Sequence, residues 1–140
     1  MALTHTTALR TLMATSIAAE FDTGTGRLAI LTGGAVAAGS AQTGSVLATF
    51  TLPSDVFGTA SAGAIALNAV SNVTASGTGT AGSFCFYNSD ETAISSGAGG
   101  TDNRITGTVA TSGGDMTIDS TSIVTGGTLV MSGWSWNAPA

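Results

Sequence analysis

Beyond Gly24 the apolar residues of this chain recur at every second position, and turn residues interrupt them every eight to twelve positions. A period of two marks a strand with one face on a core, and its repetition at this spacing limits the chain to a sandwich or barrel of short antiparallel strands. Ser45 to Leu52 is the clearest case. Val46, Ala48, Phe50 and Leu52 are expected on one face and Leu47, Thr49 and Thr51 on the other, before Pro53 interrupts the ladder. Arg27 to Thr32 places Leu28 and Ile30 together. Further strands are expected over Ala64 to Val70, Val73 to Gly79, Ser83 to Asn88, Arg104 to Ala110, Met116 to Ser120 and Thr128 to Asn137, about eight in all. The pairs Gly33-Gly34, Gly113-Gly114 and Gly126-Gly127 and the run Gly97 to Gly100 supply turns that favour positive φ. The expected fold is mainly β, an antiparallel jelly-roll-like β-sandwich.

The N-terminal segment follows a different period. Leu9, Leu12, Met13, Ile17 and Phe21 fall at steps of three and four, with Thr6 or Thr7 as N-cap and Gly24 as the stop, which predicts one N-terminal α-helix. Its apolar stripe must lie on something, either an open end of the β-domain or a neighbouring subunit. The division is an arm and helix over 1–24 and a sandwich over 25–140, forming one folding unit. The run Leu9 to Ala19 is interrupted by Arg10, Thr11, Thr15 and Ser16, so it is not expected to act as a signal peptide. No stretch approaches the roughly 18 consecutive apolar residues of a membrane span.

Composition narrows the function. Gly, Ala, Ser and Thr supply 83 of the 140 residues, Lys is absent, and Arg10, Arg27 and Arg104 carry all the positive charge against eight acids, a net charge of −5. Charged residues make up 8%, against about 25% in an ordinary soluble domain. Nucleic-acid affinity rests on clustered Lys and Arg, so no nucleic-acid partner is expected. No membrane, cofactor or metal is expected either. A charge-poor surface suits a protein that works in an assembly, where charges on repeated copies would repel. Cys85, within Phe84-Cys85-Phe86-Tyr87, reads as a buried, inert thiol.

Several motifs carry a chemical reading beside a plainer one. Asp22-Thr23-Gly24 matches the triplet of dimeric aspartic proteases, in which paired carboxylates share a proton. It follows a helical stripe instead of a strand, and helix termination is the expected role. Gly77-Thr78-Gly79-Thr80-Ala81-Gly82 has the dinucleotide glycine spacing but leads into a strand, where no helix N-terminus could receive a pyrophosphate. Asn72-Val73-Thr74 is a chance sequon. His5, the only imidazole, can complete no structural zinc set, and a Ser-His-Asp arrangement would rest on a residue five positions from the terminus. Asp90, Glu91 and Asp102 could together hold Ca²⁺, but solvated turns are the expected role. Trp134 and Trp136 alternate on one face of the last strand, as core, interface or sugar-stacking rings. Candidate interface residues are therefore Leu9, Leu12, Met13, Ile17, Phe21, Trp134 and Trp136; no catalytic residue is expected, and the protein reads as a non-enzyme.

Taken together, the helix Leu9 to Phe21, the strand Arg27-Leu28-Ala29-Ile30-Leu31-Thr32-Gly33, Leu47 to Leu52 with Phe57-Gly58, Ala64-Ile65-Ala66-Leu67-Asn68, Ile105 to Val109, Gly113 to Ile118 and Thr121 to Gly127 resemble small virion proteins of tailed bacteriophages. The resemblance covers nearly the whole chain. It implies a capsid cement or decoration protein, often a homodimer, that sits on the capsid exterior over joints of the major capsid protein and assembles in the host cytoplasm. The second reading is a tail or fibre component with a receptor- or glycan-binding surface around the two Trp. The dimeric aspartic protease is the third.

Overall fold

The structure, a computed structural model, describes residues 3–24, 26–88, 94 and 103–140. Helix α1 spans Thr7–Phe21. The Thr6 hydroxyl accepts the Leu9 N–H at 3.3 Å and so satisfies one of the donors left open by the first turn. At the other end the Asp22 N–H donates to the Ala18 carbonyl at 2.9 Å, and Gly24, at φ +78°, turns the chain out of the helix.

Ala14, Ala18 and Phe21 form the buried face of α1, with Ile17 half-buried against the core. This divides the expected apolar stripe. Leu9 and Leu12 point outward, 45% and 61% exposed, and Met13 is half-buried. Polar anchors set the rotation of the helix. Arg10 Nε and Nη2 donate to the Ala138 carbonyl at 3.2 and 3.0 Å, and the Gly63 N–H donates to Thr11 Oγ1 at 3.1 Å. Near the C-terminal end, Asn88 Nδ2 donates to the Glu20 carbonyl and to Glu20 Oε1 at 3.1 and 3.0 Å. Turning Leu9 and Leu12 inward would break these contacts, whereas Ala14 and Ala18 let the helix backbone lie close to the sheet.

The molecule is mainly β and sandwich-like, built on a curled, mixed sheet. Strand β1 (Gly26–Thr32) lies between β2 (Val46–Thr51) and β5 (Gly79–Asn88), antiparallel to both. The sheet continues through β6 (Ile105–Ala110), β7 (Met116–Ile118) and β10 (Met131–Asn137) to β3 (Ala64–Ala66). Strand β8 (Ser122–Ile123) pairs with the start of β5, while β4 (Val73–Thr74) and β9 (Thr128–Leu129) form a separate two-stranded sheet. The expected run Thr128 to Asn137 is thus two strands with different partners, and β8 lies outside every expected strand. Expected strands 64–70 and 73–79 stop early, at Ala66 and Thr74, and β5 starts at Gly79, ahead of Ser83.

Two local features depart from a plain antiparallel reading. Between Ile30 and Leu31 the β1–β2 register slips, so that Leu31 faces Val46 and Leu47 is left between the pairs. The bulge reverses the expected facing there: Leu47 is buried, Val46 is exposed, and the Leu47 carbonyl accepts the Ser76 and Gly77 amides. Strands β6 and β7 run parallel, pairing Val109 with Met116 and Ala110 with Thr117. The loop between them is folded back by Asp115, whose Oδ2 accepts the Thr108 N–H and hydroxyl at 2.9 and 2.8 Å.

Strand β1 is buried on both sides. Leu28 and Ile30 face the main core opposite Phe50, Phe84 and Phe86, while Ala29 and Leu31 form a second cluster with Cys85, Tyr87 and Ile94. The Ile94 carbonyl accepts the Gln42 amide, and the Thr106 hydroxyl donates to the Val36 carbonyl, which ties the 33–45 loop to that outer side. Cys85 is fully buried there. Burial raises the Tyr87 pKa, the coulombic influence of Cys85 adds to the rise, and Arg27 and Arg104 oppose it.

Candidate functional site

The main core is centred on five rings. Phe86 lies 4.9 Å from Trp134, 5.6 Å from Phe84, 5.9 Å from Phe21 and 6.0 Å from Phe57, centroid to centroid. Trp134, 7% exposed, also packs on Phe57 at 5.5 Å and on Phe84 at 6.3 Å. It is a core residue rather than an interface or sugar-stacking platform, because its neighbours cover the ring. Trp136 is half-buried on the same core and pairs with Ile65 across β10 and β3. Phe21 and Ile17 likewise belong to the core. Of the candidate interface residues, Leu9 and Leu12 are the two left exposed, and both lie on the outer side of α1.

That outer side extends further than the large residues indicate. Ala8, Leu9, Leu12, Thr15, Ser16 and Ala19 are all exposed, and none carries a charge. The Thr15 hydroxyl donates to the Thr11 carbonyl and the Ser16 hydroxyl to the Leu12 carbonyl, at 2.9 and 3.0 Å. These donors are satisfied within the helix, so the face can be covered without leaving them unpaired. Ranking by side-chain size missed the true inner face. The signal for it was present: Ala14, Ala18 and Phe21 share a helical face with Arg10.

Several chemistry-bearing side chains are engaged with backbone. Asp22 closes the helix, and its Oδ1 accepts the Phe57 N–H at 3.1 Å. His5 Nδ1 lies 3.3 Å from the Ala140 carbonyl oxygen. Asp119 Oδ1 accepts the Val130 N–H at 3.4 Å. Among the described residues no three of His, Cys, Asp and Glu come together as a metal set, and no helix is long and apolar enough to cross a membrane. Asp90, Glu91 and Asp102 lie outside the described residues.

The dinucleotide-like glycines serve close approach. A Cβ on Gly77 would sit 2.8 Å from the Val46 carbonyl oxygen, and one on Gly79 would sit 2.8 Å from Thr32 Cγ2. Gly82 is the extra residue where the β1–β5 register slips between Leu31 and Thr32. Val73 and Thr74 of the sequon form β4, beside exposed Asn72.

Hollows among the described residues include two on the surface. One, of about 160 Å³, is lined by Ala75, Asp119, Ile123, Val124 and Leu129 among others; the other, of about 320 Å³, is an open depression over Asp115, Thr117, Gly133 and Ser135 beside Trp134. The Thr108 amide, with its hydroxyl second, holds the Asp115 carboxyl below its ordinary range, while slight burial opposes this. The folded protein therefore binds this proton more weakly than the unfolded chain does. Its contribution to stability is complete above the unfolded carboxylate pKa, near about 4, and is lost as pH falls through the lower folded value. Melting wild type and Asp115→Asn across this range should show the wild type losing stability more steeply on acidification. Parallel acid limbs would remove this role of the carboxylate.

Compared with known protein families, curated proteins and solved structures, the chain matches none.

Proposed function

We propose that this protein is a non-enzymatic component of a tailed-bacteriophage virion, a cement or decoration protein bound on the capsid exterior over joints of the major capsid protein. The observation that carries the reading is the use of its polar chemistry. Glu20, Asp22, Asp115 and Asp119 accept hydrogen bonds that hold helix, turns and strands, and Arg10 fastens α1 to the C-terminal segment. What faces outward is dominated by hydroxyls and small apolar groups. Such a surface packs against a neighbour with little charge to desolvate. The resemblance to small phage virion proteins points the same way.

A shell clamp needs a stiff body. Here strands distant in sequence close over one aromatic cluster, and the helix is fastened to that body near each of its own ends. The tail or fibre reading depended on exposed tryptophan rings, and the burial of Trp134 weakens it.

Virions prepared without the protein should release their DNA at a lower temperature than complete virions, and complete virions should carry many copies on the head. Equal release temperatures would overturn the cement reading, and a few copies at one vertex would favour the tail.

A further inference from the structure

The turn between β8 and β9 frames the smaller of the two hollows, about 160 Å³ in volume. Gly126, at φ +86°, reverses the chain; its N–H donates to the Ala75 carbonyl at 2.9 Å, and the Ala75 N–H donates to the Gly127 carbonyl at 2.8 Å. Ala75, Ile123 and Leu129 line the hollow from the buried side, and Val124 lines it from the solvent side, 61% exposed. Among the described residues its lining holds one charge, the exposed Asp119. Asp119 Oδ1 accepts the Val130 N–H at 3.4 Å, and Oδ2 accepts no hydrogen bond from the described residues. An apolar hollow with one carboxylate oxygen left over fits a group that is apolar along its length and cationic at its tip.

Two side chains have that form, and the geometry separates them. Arginine meets a carboxylate with a planar fork that uses both oxygens, whereas the lysine ammonium is a compact charge that one oxygen can hold. With Oδ1 taken by Val130, Asp119 offers one. The lysine must come from a different molecule, because this chain contains none. A second copy is a poor source of arginine as well: Arg10 is engaged with the Ala138 carbonyl, Arg27 donates to the Gly26 carbonyl, and Arg104 is buried. The net charge of −5 attracts a basic partner. A protein that carries the lysine also covers Val124, which a small soluble amine would leave in water.

We propose that the hollow between Asp119, Ile123, Val124 and Leu129 is a docking site for a lysine side chain of a different, basic protein. The alkyl stem lies on Ile123 and Leu129, and the ammonium meets Asp119 Oδ2. This goes beyond the shell-binding reading and does not depend on it. One side chain in so small a hollow binds in the millimolar range. Repetition of the contact over many copies in an assembly turns it into firm attachment.

Titration of isotope-labelled protein with Nα-acetyl-lysine N-methylamide, followed by amide NMR, tests this. The amides of Asp119, Ile123 and Leu129 should shift saturably, and added salt should weaken the binding. The norleucine compound, which keeps the stem and lacks the charge, should bind about fivefold more weakly, and Asp119→Asn should lose about the same factor for lysine. Asparagine retains an oxygen for the Val130 N–H, so the melting temperature and the amide shifts remote from the hollow should stay at wild-type values. Val124→Ser, which removes the exposed apolar wall, should also weaken lysine binding. No saturable shift well above millimolar concentration overturns the proposal, as does norleucine binding as tightly as lysine or an Asp119→Asn protein that binds lysine unchanged. Tighter binding of the arginine compound overturns the assignment to lysine, and tighter binding of putrescine assigns the hollow to a soluble amine. All of these readouts use the isolated protein, so failure here leaves the cement reading to its own test on virions.

Discussion

Phe86→Ala should cost about 3–5 kcal/mol of folding stability, the largest loss expected from any single truncation in the core. Phe86 is fully buried and lies within 6.0 Å, centroid to centroid, of four other rings. Those rings come from α1, from the segment after β2, from β5 itself and from β10. Each is held by its own element, so they cannot collapse together into the space the ring leaves. Set against the roughly 5–15 kcal/mol that keeps a domain folded, the loss removes a large share of the total. Urea titration followed by tryptophan fluorescence reports it directly, because Trp134 is one of the four neighbours. Phe86→Leu should retain much of the stability by keeping most of the volume. A cost for Phe86→Ala below about 1 kcal/mol would be typical of a surface site, and would show that the five rings do not form the centre of this core.

Gly82→Val is also expected to be strongly damaging. A Cβ at this position would lie 2.5 Å from the Gly33 carbonyl oxygen and 3.1 Å from its carbon. The obstacle is backbone, so no side-chain rotation relieves it, and β5 must move away from the end of β1. Overpacking of this kind costs about 1–3 kcal/mol and sometimes more. Valine adds two methyl groups to the same conflict. Gly34→Ala is the control, since a Cβ there meets nothing within 4 Å, and its effect should stay within about 0.5 kcal/mol. Equal urea midpoints for Gly82→Val and wild type would mean that the bulge at Gly82 opens freely.

The outward position of Leu12 shows why size is a poor guide to which side of a helix faces in. Leu12 is larger than Ala14 or Ala18, yet the two alanines are buried and Leu12 is 61% exposed. A helix seated on a curled sheet gains from close approach, and its rotation is decided by where its polar groups find partners. Arg10 finds the Ala138 carbonyl 128 residues away, and Asn88 finds Glu20 across 68. No periodicity in a 15-residue window contains those distances.

Read alone, the sequence determined what depends on neighbours along the chain. An N-cap at Thr6 or Thr7, the end of the helix at Asp22-Thr23-Gly24, the strand period, the burial of Cys85 and the mainly β, sandwich-like class all follow from local sterics and alternation. Only the tertiary structure decided what depends on partners distant in sequence: the bulge that buries Leu47 and exposes Val46, the parallel β6–β7 pair, the separate β4–β9 sheet, the packing of Trp134 among phenylalanines, and the face that α1 leaves uncovered. The physical reason is that each residue's own conformational preferences act over a few positions, whereas register and burial are settled by which strands compete for the same backbone hydrogen bonds and the same core volume.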